Sequence, residues 1–177
     1  MNLPNKLTML RMCMVPVFVV LMLADLKNGN YWAGLVFILA SATDALDGYI
    51  ARKNNLITDF GKFMDPIADK LLVCSALICL VAQGELAAWV AIIIIGREFI
   101  ISGFRLVASE KGTVIAASYW GKFKTIAQML MIIVMIFDFG GVWEVIALVL
   151  IWVALILTVI SLIDYLKKNW SLMEGQM

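Results

Sequence analysis

Histidine is absent from the 177-residue chain, which excludes a Ser-His-Asp triad and any histidine metal site. Acid–base chemistry would therefore use carboxylates or lysines. Cysteine is scarce: Cys13, Cys74 and Cys79 lie in apolar runs without the spacing of metal ligands, and we interpret them as small buried hydrophobic side chains. Charged residues make up only 15% of the chain, against about 25% in an average soluble domain.

Long polar or low-complexity stretches are also missing, and the chain has only 3 prolines. We therefore expect no linker, and one membrane domain over residues 1–177. The first apolar run lacks the small-residue cleavage pattern of a secretion signal, so we interpret it as a retained first helix.

Apolar residues are in large excess, at 63% of the chain with a mean hydropathy of +0.97. A spanning helix needs about 20 mainly apolar residues, and the runs predict an all-α polytopic membrane protein with six transmembrane helices. The candidate helices are Leu7–Leu26, Tyr31–Ile50, Phe60–Gln83, Leu86–Val107, Ser118–Phe139 and Val142–Tyr165. Lysine and arginine gather at the connections after the even-numbered helices. This asymmetry predicts that both termini are cytoplasmic.

Four aspartates interrupt the second and third candidate helices: Asp44, Asp47, Asp65 and Asp69. On a helix that turns about 100° per residue, the first two fall within an arc of about 140° that also contains Gly48 and Arg52. The last two are four residues apart and share a face if the third helix runs through them. Each ionisable side chain in a membrane segment costs about 2.5 to 3.5 kcal/mol on insertion scales. The cluster therefore predicts an active site at the cytoplasmic ends of the helices.

Converging carboxylates raise one another's pKa unless a cation compensates them. Oxygen ligands without histidine or cysteine favour a hard ion such as Mg²⁺ or Mn²⁺. Two such ions would suit phosphoryl transfer, because they can clamp pyrophosphate oxygens and neutralise the developing charge.

Structural interpretations of the same residues remain open. Asp65 followed by Pro66 is typical of a helix start, with aspartate as the N-cap and proline at the first helical position. Asp44 and Asp47 could form ion pairs with Arg52 and Lys53 at a membrane edge.

The spacing Asp44-x2-Asp47-Gly48-x2-Ala51-Arg52-x8-Gly61-x3-Asp65-x3-Asp69 resembles the motif of the CDP-alcohol phosphatidyltransferases at every defined position. The resemblance implies that an alcohol attacks the β-phosphorus of a CDP-linked lipid, giving a phosphodiester and CMP. It also implies that the four aspartates hold two metal ions and that Asp69 accepts the proton. The nucleotide-binding residues that it implies are Asn5, Thr8, Asp47, Gly48, Arg52 and Gly61.

The N-terminal segment, Leu3-Pro4-Asn5-Lys6-Leu7-Thr8-x2-Arg11, resembles the bacterial branch of this family that uses a glycerophosphate acceptor. Without the family, Pro4-Asn5 indicates a helix start and Thr8 is a hydroxyl on a helix surface. Arg11 could equally anchor the helix to anionic lipid.

A second set of charges lies in the fourth and fifth helices: Arg97, Arg105, Lys122 and Lys124. Such a basic cluster at the level of the membrane fits an acceptor that is itself a phosphate ester. The resemblance makes that acceptor sn-glycerol 3-phosphate, the donor CDP-diacylglycerol, and the product a precursor of phosphatidylglycerol. In the competing interpretation, Arg97 or Arg105 pairs with Glu98, and the two lysines lie among anionic headgroups.

Other functions stay open as well. Within the family, the acceptor could be an inositol phosphate or a phosphatidylglycerol headgroup. In another class, the four carboxylates could line a path for divalent cations, although acidic residues would then be expected to continue across the bilayer. The family resemblance also implies a homodimer.

Overall fold

The computed structural model describes residues 3–24, 26–53, 59–110 and 118–170, with side chains over 5–24, 26–43, 64–109 and 118–170. This part of the chain is helical apart from its connections. Its helices are α1 (Leu3–Leu23), α2 (Gly29–Lys53), α3 (Asp59–Ala82), α4 (Ala88–Glu110), α5 (Tyr119–Phe137) and α6 (Val142–Asn169). Each coincides with one of the six predicted apolar segments, so the prediction of an all-α fold is confirmed.

The helix ends follow local chemistry more closely than apolar content. The first helix begins at Leu3 rather than at the predicted Leu7. Pro4 is tolerated in its first turn, because an N–H group at that position would have no partner within the helix. The third helix ends in a Schellman turn: Glu85 N–H donates to the Leu80 carbonyl at 3.0 Å, and Gly84 N–H donates to the Val81 carbonyl at 3.0 Å. Gly84 has a φ of 81°, which suits a residue without a Cβ.

The chain divides into two compact units. The first comprises residues 1–86 and 135–138, in which α1 packs along α2 and α3. The rings of Phe18 and Phe37 meet in its core, with centroids 5.8 Å apart. Gly34 allows the ring of Phe137 to approach the backbone of α2, since a Cβ at this position would lie 2.7 Å from that ring.

The second unit comprises residues 87–134 and 139–177, in which α4 packs along α6. Aromatic contacts occur near both ends of this helix pair. Trp89 and Trp152 lie with ring centroids 6.2 Å apart, and Phe104 meets Tyr165 edge to face at 6.3 Å. Between these contacts, α4 and α6 carry the buried charged and hydroxyl groups described below.

Within the part of the chain that the structure describes, three segments are long and apolar enough to cross a membrane: Asn5–Leu23, Tyr119–Phe137 and Val142–Asn169. Large apolar side chains stay exposed along α6, including Val149, Trp152 and Ile156, as expected for a helix surrounded by lipid. These helices mark a membrane protein. Cys13 is exposed as well, so the expectation that it is buried is wrong, whereas Cys79 is buried as expected.

Candidate active site

The third helix runs through the Asp65-Pro66 pair instead of beginning there. Helix α3 starts at Asp59 and contains Pro66 in its interior, so the interpretation of Asp65 as an N-cap is wrong. A local helix-start signal is overridden here by the longer helix. As a result, Asp65 and Asp69 lie one turn apart on one face of a continuous helix, and both are half-buried.

The second helix continues to Lys53, so the backbone that carries the first half of the aspartate motif is helical. The helical register places the motif residues of α2 on one stripe, as the spacing predicts. The side chains of five predicted site residues lie outside the described residues, and their roles stay predictions; they are Asp44, Asp47, Gly48, Arg52 and Gly61. The alternative ion pairs with Arg52 and Lys53 also fall outside that part.

Helix α1 brings a hydroxyl to the aspartate face. Thr8 Oγ1 donates a hydrogen bond to Asp65 Oδ1, although the two residues are 57 positions apart in the sequence. Thr8 is completely buried, and Asn5 is buried one turn earlier on α1. A hydroxyl that donates to a carboxylate fixes which oxygens of that carboxylate remain available to a cation. The predicted nucleotide contacts of Asn5 and Thr8 stay predictions.

Arg11 also faces the interior of the first unit. Its side chain has no exposed surface, and its Nε donates to the carbonyl oxygen of Ala40 at 3.3 Å. Ala40 lies one helical turn before Asp44 on α2. The interpretation of Arg11 as an anchor to lipid at the membrane surface is therefore wrong, because its guanidinium group is held between helices.

Among the residues whose side chains are described, no three acidic or thiol groups gather in one place. Of the four predicted metal ligands, Asp65 and Asp69 are the two whose side chains the structure describes. Their carboxylate oxygens lie one turn apart, and such oxygen donors fit a hard divalent cation. The hydroxyl of Thr8 on Asp65 is the kind of outer partner that ligating carboxylates usually have.

In the second unit, one acidic side chain joins two basic ones. Arg97 Nη1 donates to Glu98 Oε1 at 3.0 Å, and the Lys124 ammonium group contacts the same oxygen. Arg97 is only 8% exposed and Lys124 only 2%. The alternative ion pair between Arg97 and Glu98 is thus present. The other part of that competing interpretation, in which Lys124 lies among lipid headgroups, is wrong because the Lys124 side chain is buried.

Arg97 has a further partner on α6. Its Nε donates to Ser161 Oγ at 3.2 Å, and Ser161 is completely buried. Sequence reasoning assigned no role to this serine. The available signal was a pair of hydroxyl residues, Thr158 and Ser161, inside the otherwise apolar run of α6.

The other two predicted acceptor residues are exposed, unlike Arg97 and Lys124. Arg105 is exposed on α4. Lys122 is exposed near the start of α5, where its ammonium group lies 5.5 Å from the ring centroid of Tyr119. The structure therefore brings Arg97 and Lys124 together through Glu98, whereas Arg105 and Lys122 are exposed.

Comparison with known proteins gives the family that the aspartate motif resembles. The family model of the CDP-alcohol phosphatidyltransferases matches residues 1–160. The chain is 43% identical over 188 residues to the CDP-diacylglycerol–glycerol-3-phosphate 3-phosphatidyltransferase of Bacillus subtilis, covering 98% of this chain and 97% of the relative. It is 40% identical over 171 residues to the protein of the same name from Haemophilus influenzae, covering 94% and 92%. A Mycobacterium tuberculosis protein named "Probable phosphatidylglycerophosphate synthase" is 41% identical over 175 residues, covering 94% and 81%.

Proposed function

Because this chain belongs to the CDP-alcohol phosphatidyltransferases, we propose that it transfers the phosphatidyl group of CDP-diacylglycerol to sn-glycerol 3-phosphate. The products are phosphatidylglycerophosphate and CMP, and the reaction serves phosphatidylglycerol biosynthesis. The observation that carries this proposal is the likeness, over almost the whole chain, to relatives named for this reaction. A buried pair of cations, Arg97 and Lys124, supports an acceptor that carries its own phosphate.

We also propose that Asp44, Asp47, Asp65 and Asp69 bind two Mg²⁺ or Mn²⁺ ions. Bound there, they would neutralise charge on the pyrophosphate of the donor. Thr8 fixes the orientation of Asp65 through its hydrogen bond, so this carboxylate is directed before any cation arrives.

Asp69 is the proposed general base. It lies one turn after Asp65 on the same helix face and accepts the proton of the acceptor hydroxyl. The acceptor oxygen forms a bond to the β-phosphorus of CDP-diacylglycerol, and the bond from that phosphorus to the bridging oxygen of the pyrophosphate breaks. CMP leaves with that oxygen. The nucleotide itself is held by the proposed set Asn5, Thr8, Asp47, Gly48, Arg52 and Gly61.

The acceptor phosphate is assigned to Arg97 and Lys124, with Arg105 and Lys122 as outer contacts. The two inner residues are buried and held by partners, which lowers the entropy lost when a phosphate is bound. The two outer residues are exposed and suit attraction of the anion from solution.

We further propose that all six helices cross the membrane, with the active site at their cytoplasmic ends and both termini in the cytoplasm. The asymmetric placement of lysine and arginine supports this orientation. CDP-diacylglycerol would then reach the aspartates from the inner leaflet, while glycerol 3-phosphate would arrive from the cytoplasm. The exposed apolar face of α6 offers surface for lipid or for the homodimer that the family resemblance implies.

The test is CMP release by the purified protein with CDP-diacylglycerol and Mg²⁺ or Mn²⁺. Glycerol 3-phosphate, inositol 1-phosphate, phosphatidylglycerol, glycerol and no acceptor are compared. Release that requires both a divalent cation and glycerol 3-phosphate is the expected result. Release with a different alcohol would keep the family chemistry and overturn the proposed acceptor, and no release with any acceptor would overturn the enzyme assignment.

A further inference from the structure

Glu98 is a half-buried acidic group to which the proposed reaction assigns no step. Its carboxylate oxygen Oε1 receives Nη1 of Arg97 from its own helix and the ammonium group of Lys124 from α5. The glutamate side chain is itself only 18% exposed. One acidic group therefore connects two cations that lie on different helices, Arg97 on α4 and Lys124 on α5.

Electrostatics explain why such a connection is needed. Two positive side chains that are both almost fully buried repel each other and lose hydration, and each effect opposes a fixed position for the pair. Glu98 compensates one of the two charges, so Arg97, Glu98 and Lys124 together carry a net charge of +1. The cluster stays attractive to an anion, while its cations keep defined places when no anion is bound.

The contacts of Arg97 show which edge of its guanidinium group is anchored and which faces α5. Ser161 takes Nε and Glu98 takes Nη1. The Nη2 group lies toward the start of α5, where a Cβ added to Gly121 would be 3.4 Å from it. A glycine at this position keeps this side of α5 free of a Cβ, on the same helix that carries Lys124. One edge of the guanidinium group is thus anchored by hydrogen bonds, and Nη2 is directed toward α5.

We propose that Glu98 is a positioning residue that joins Arg97 and Lys124 into one binding site for the phosphate monoester of the acceptor. The inference rests on the proposed function for the identity of that acceptor. Glu98 does not touch the acceptor, because a carboxylate would repel the phosphate. Its loss should affect recognition of the phosphorylated alcohol and leave recognition of the CDP-linked donor unchanged.

Steady-state kinetics give the first test. CMP release is measured for wild type, Glu98→Ala and Glu98→Gln, with each substrate varied at saturating levels of the other. Loss of a charge-assisted contact to each cation should raise the apparent KM for glycerol 3-phosphate by about tenfold or more, while the KM for CDP-diacylglycerol changes less than about twofold. Glu144→Ala, at an exposed glutamate in the first turn of α6, is the matched control and should leave both values unchanged. An unchanged or lowered KM for glycerol 3-phosphate in both Glu98 variants overturns the inference, as does an equal rise for the donor.

Lysine labelling gives a second test that does not depend on turnover. The folded protein, checked by size-exclusion chromatography, is treated briefly with an amine-acetylating reagent, and acetylation of Lys124 and Lys122 is quantified by mass spectrometry. Lys122 is exposed and serves as the control within the same chain. Lys124 should react slowly in wild type and several-fold faster in Glu98→Ala, and glycerol 3-phosphate should protect it in wild type only.

The two tests separate this inference from the proposed function. If wild type releases CMP with a different phosphorylated alcohol, and that alcohol protects Lys124 only when Glu98 is present, the proposed acceptor is wrong and the role of Glu98 is supported. If Lys124 is labelled equally in wild type and Glu98→Ala, the role of Glu98 is overturned, whichever acceptor is used.

Discussion

Replacing Thr8 by valine removes the described hydrogen bond to Asp65 with little change in side-chain shape. Thr8 has no exposed surface, so the carboxylate has no ready substitute from bulk water on that side. A hydrogen bond to a charged group is worth about 1.5 to 3 kcal/mol, which corresponds to a factor of about 10 to 150. Loss of an outer partner of a metal ligand likewise costs about 10- to 100-fold in metal affinity or activity.

The assay is CMP release as a function of Mn²⁺ or Mg²⁺ concentration, at saturating CDP-diacylglycerol and glycerol 3-phosphate. Thr8→Val should raise the half-activating cation concentration by about tenfold or more. Thr8→Ser keeps the hydroxyl and loses only a methyl group, so it is the matched control and should stay within about threefold of wild type.

Two outcomes would contradict this reasoning in different ways. Wild-type activation by the cation in Thr8→Val would show that the hydrogen bond to Asp65 does not govern metal binding. A raised KM for CDP-diacylglycerol with an unchanged cation requirement would instead assign Thr8 to the nucleotide, as the family resemblance implies.

Three further perturbations test other parts of the molecule. Asp69→Asn should lower turnover by at least about 100-fold while binding of CMP survives in equilibrium measurements, because the general base is lost and the proposed nucleotide-binding residues remain. Wild-type turnover would remove Asp69 from the mechanism. Arg97→Ala should raise the KM for glycerol 3-phosphate more than Arg105→Ala does, since Arg97 is buried and anchored whereas Arg105 is exposed; the reverse order would move the acceptor site. Gly84→Ala should destabilise the protein by about 1 kcal/mol in a denaturation measurement, because a φ of 81° is unfavourable for a residue with a Cβ, and unchanged stability would mean that the turn adopts another conformation.

The helices were predictable because their signal is local. An apolar run of about 20 residues needs no knowledge of the rest of the fold, and each of the six runs became a helix in its expected place. The Asp65-Pro66 pair shows the limit of local signals. Two residues that favour a helix start lie inside α3, because the helix began at Asp59 and an interior proline was tolerated.

The contacts that organise the candidate site were not predictable in the same way. Thr8 and Asp65 are 57 positions apart, and Arg97 and Ser161 are 64 apart. Such pairs depend on how helices pack, which periodicity within one helix does not specify. The burial of Arg11 has the same origin: its place in the sequence fits a membrane-surface anchor, but packing of α1 against α2 encloses it.

Each of the two units holds a charged side chain between helices by a hydrogen bond with a buried hydroxyl group. In the first, a hydroxyl on α1 bonds to Asp65 on α3, and in the second, a hydroxyl on α6 bonds to Arg97 on α4. Both hydroxyls are fully buried, and both lie on helices that are apolar enough to cross a membrane. A hydroxyl can donate to an acid or accept from a base without adding a charge that would itself need compensation. In this chain, the buried Thr8 and Ser161 each bond to a charged group of another helix, whereas the buried Thr158 donates to the Ala154 carbonyl of its own helix.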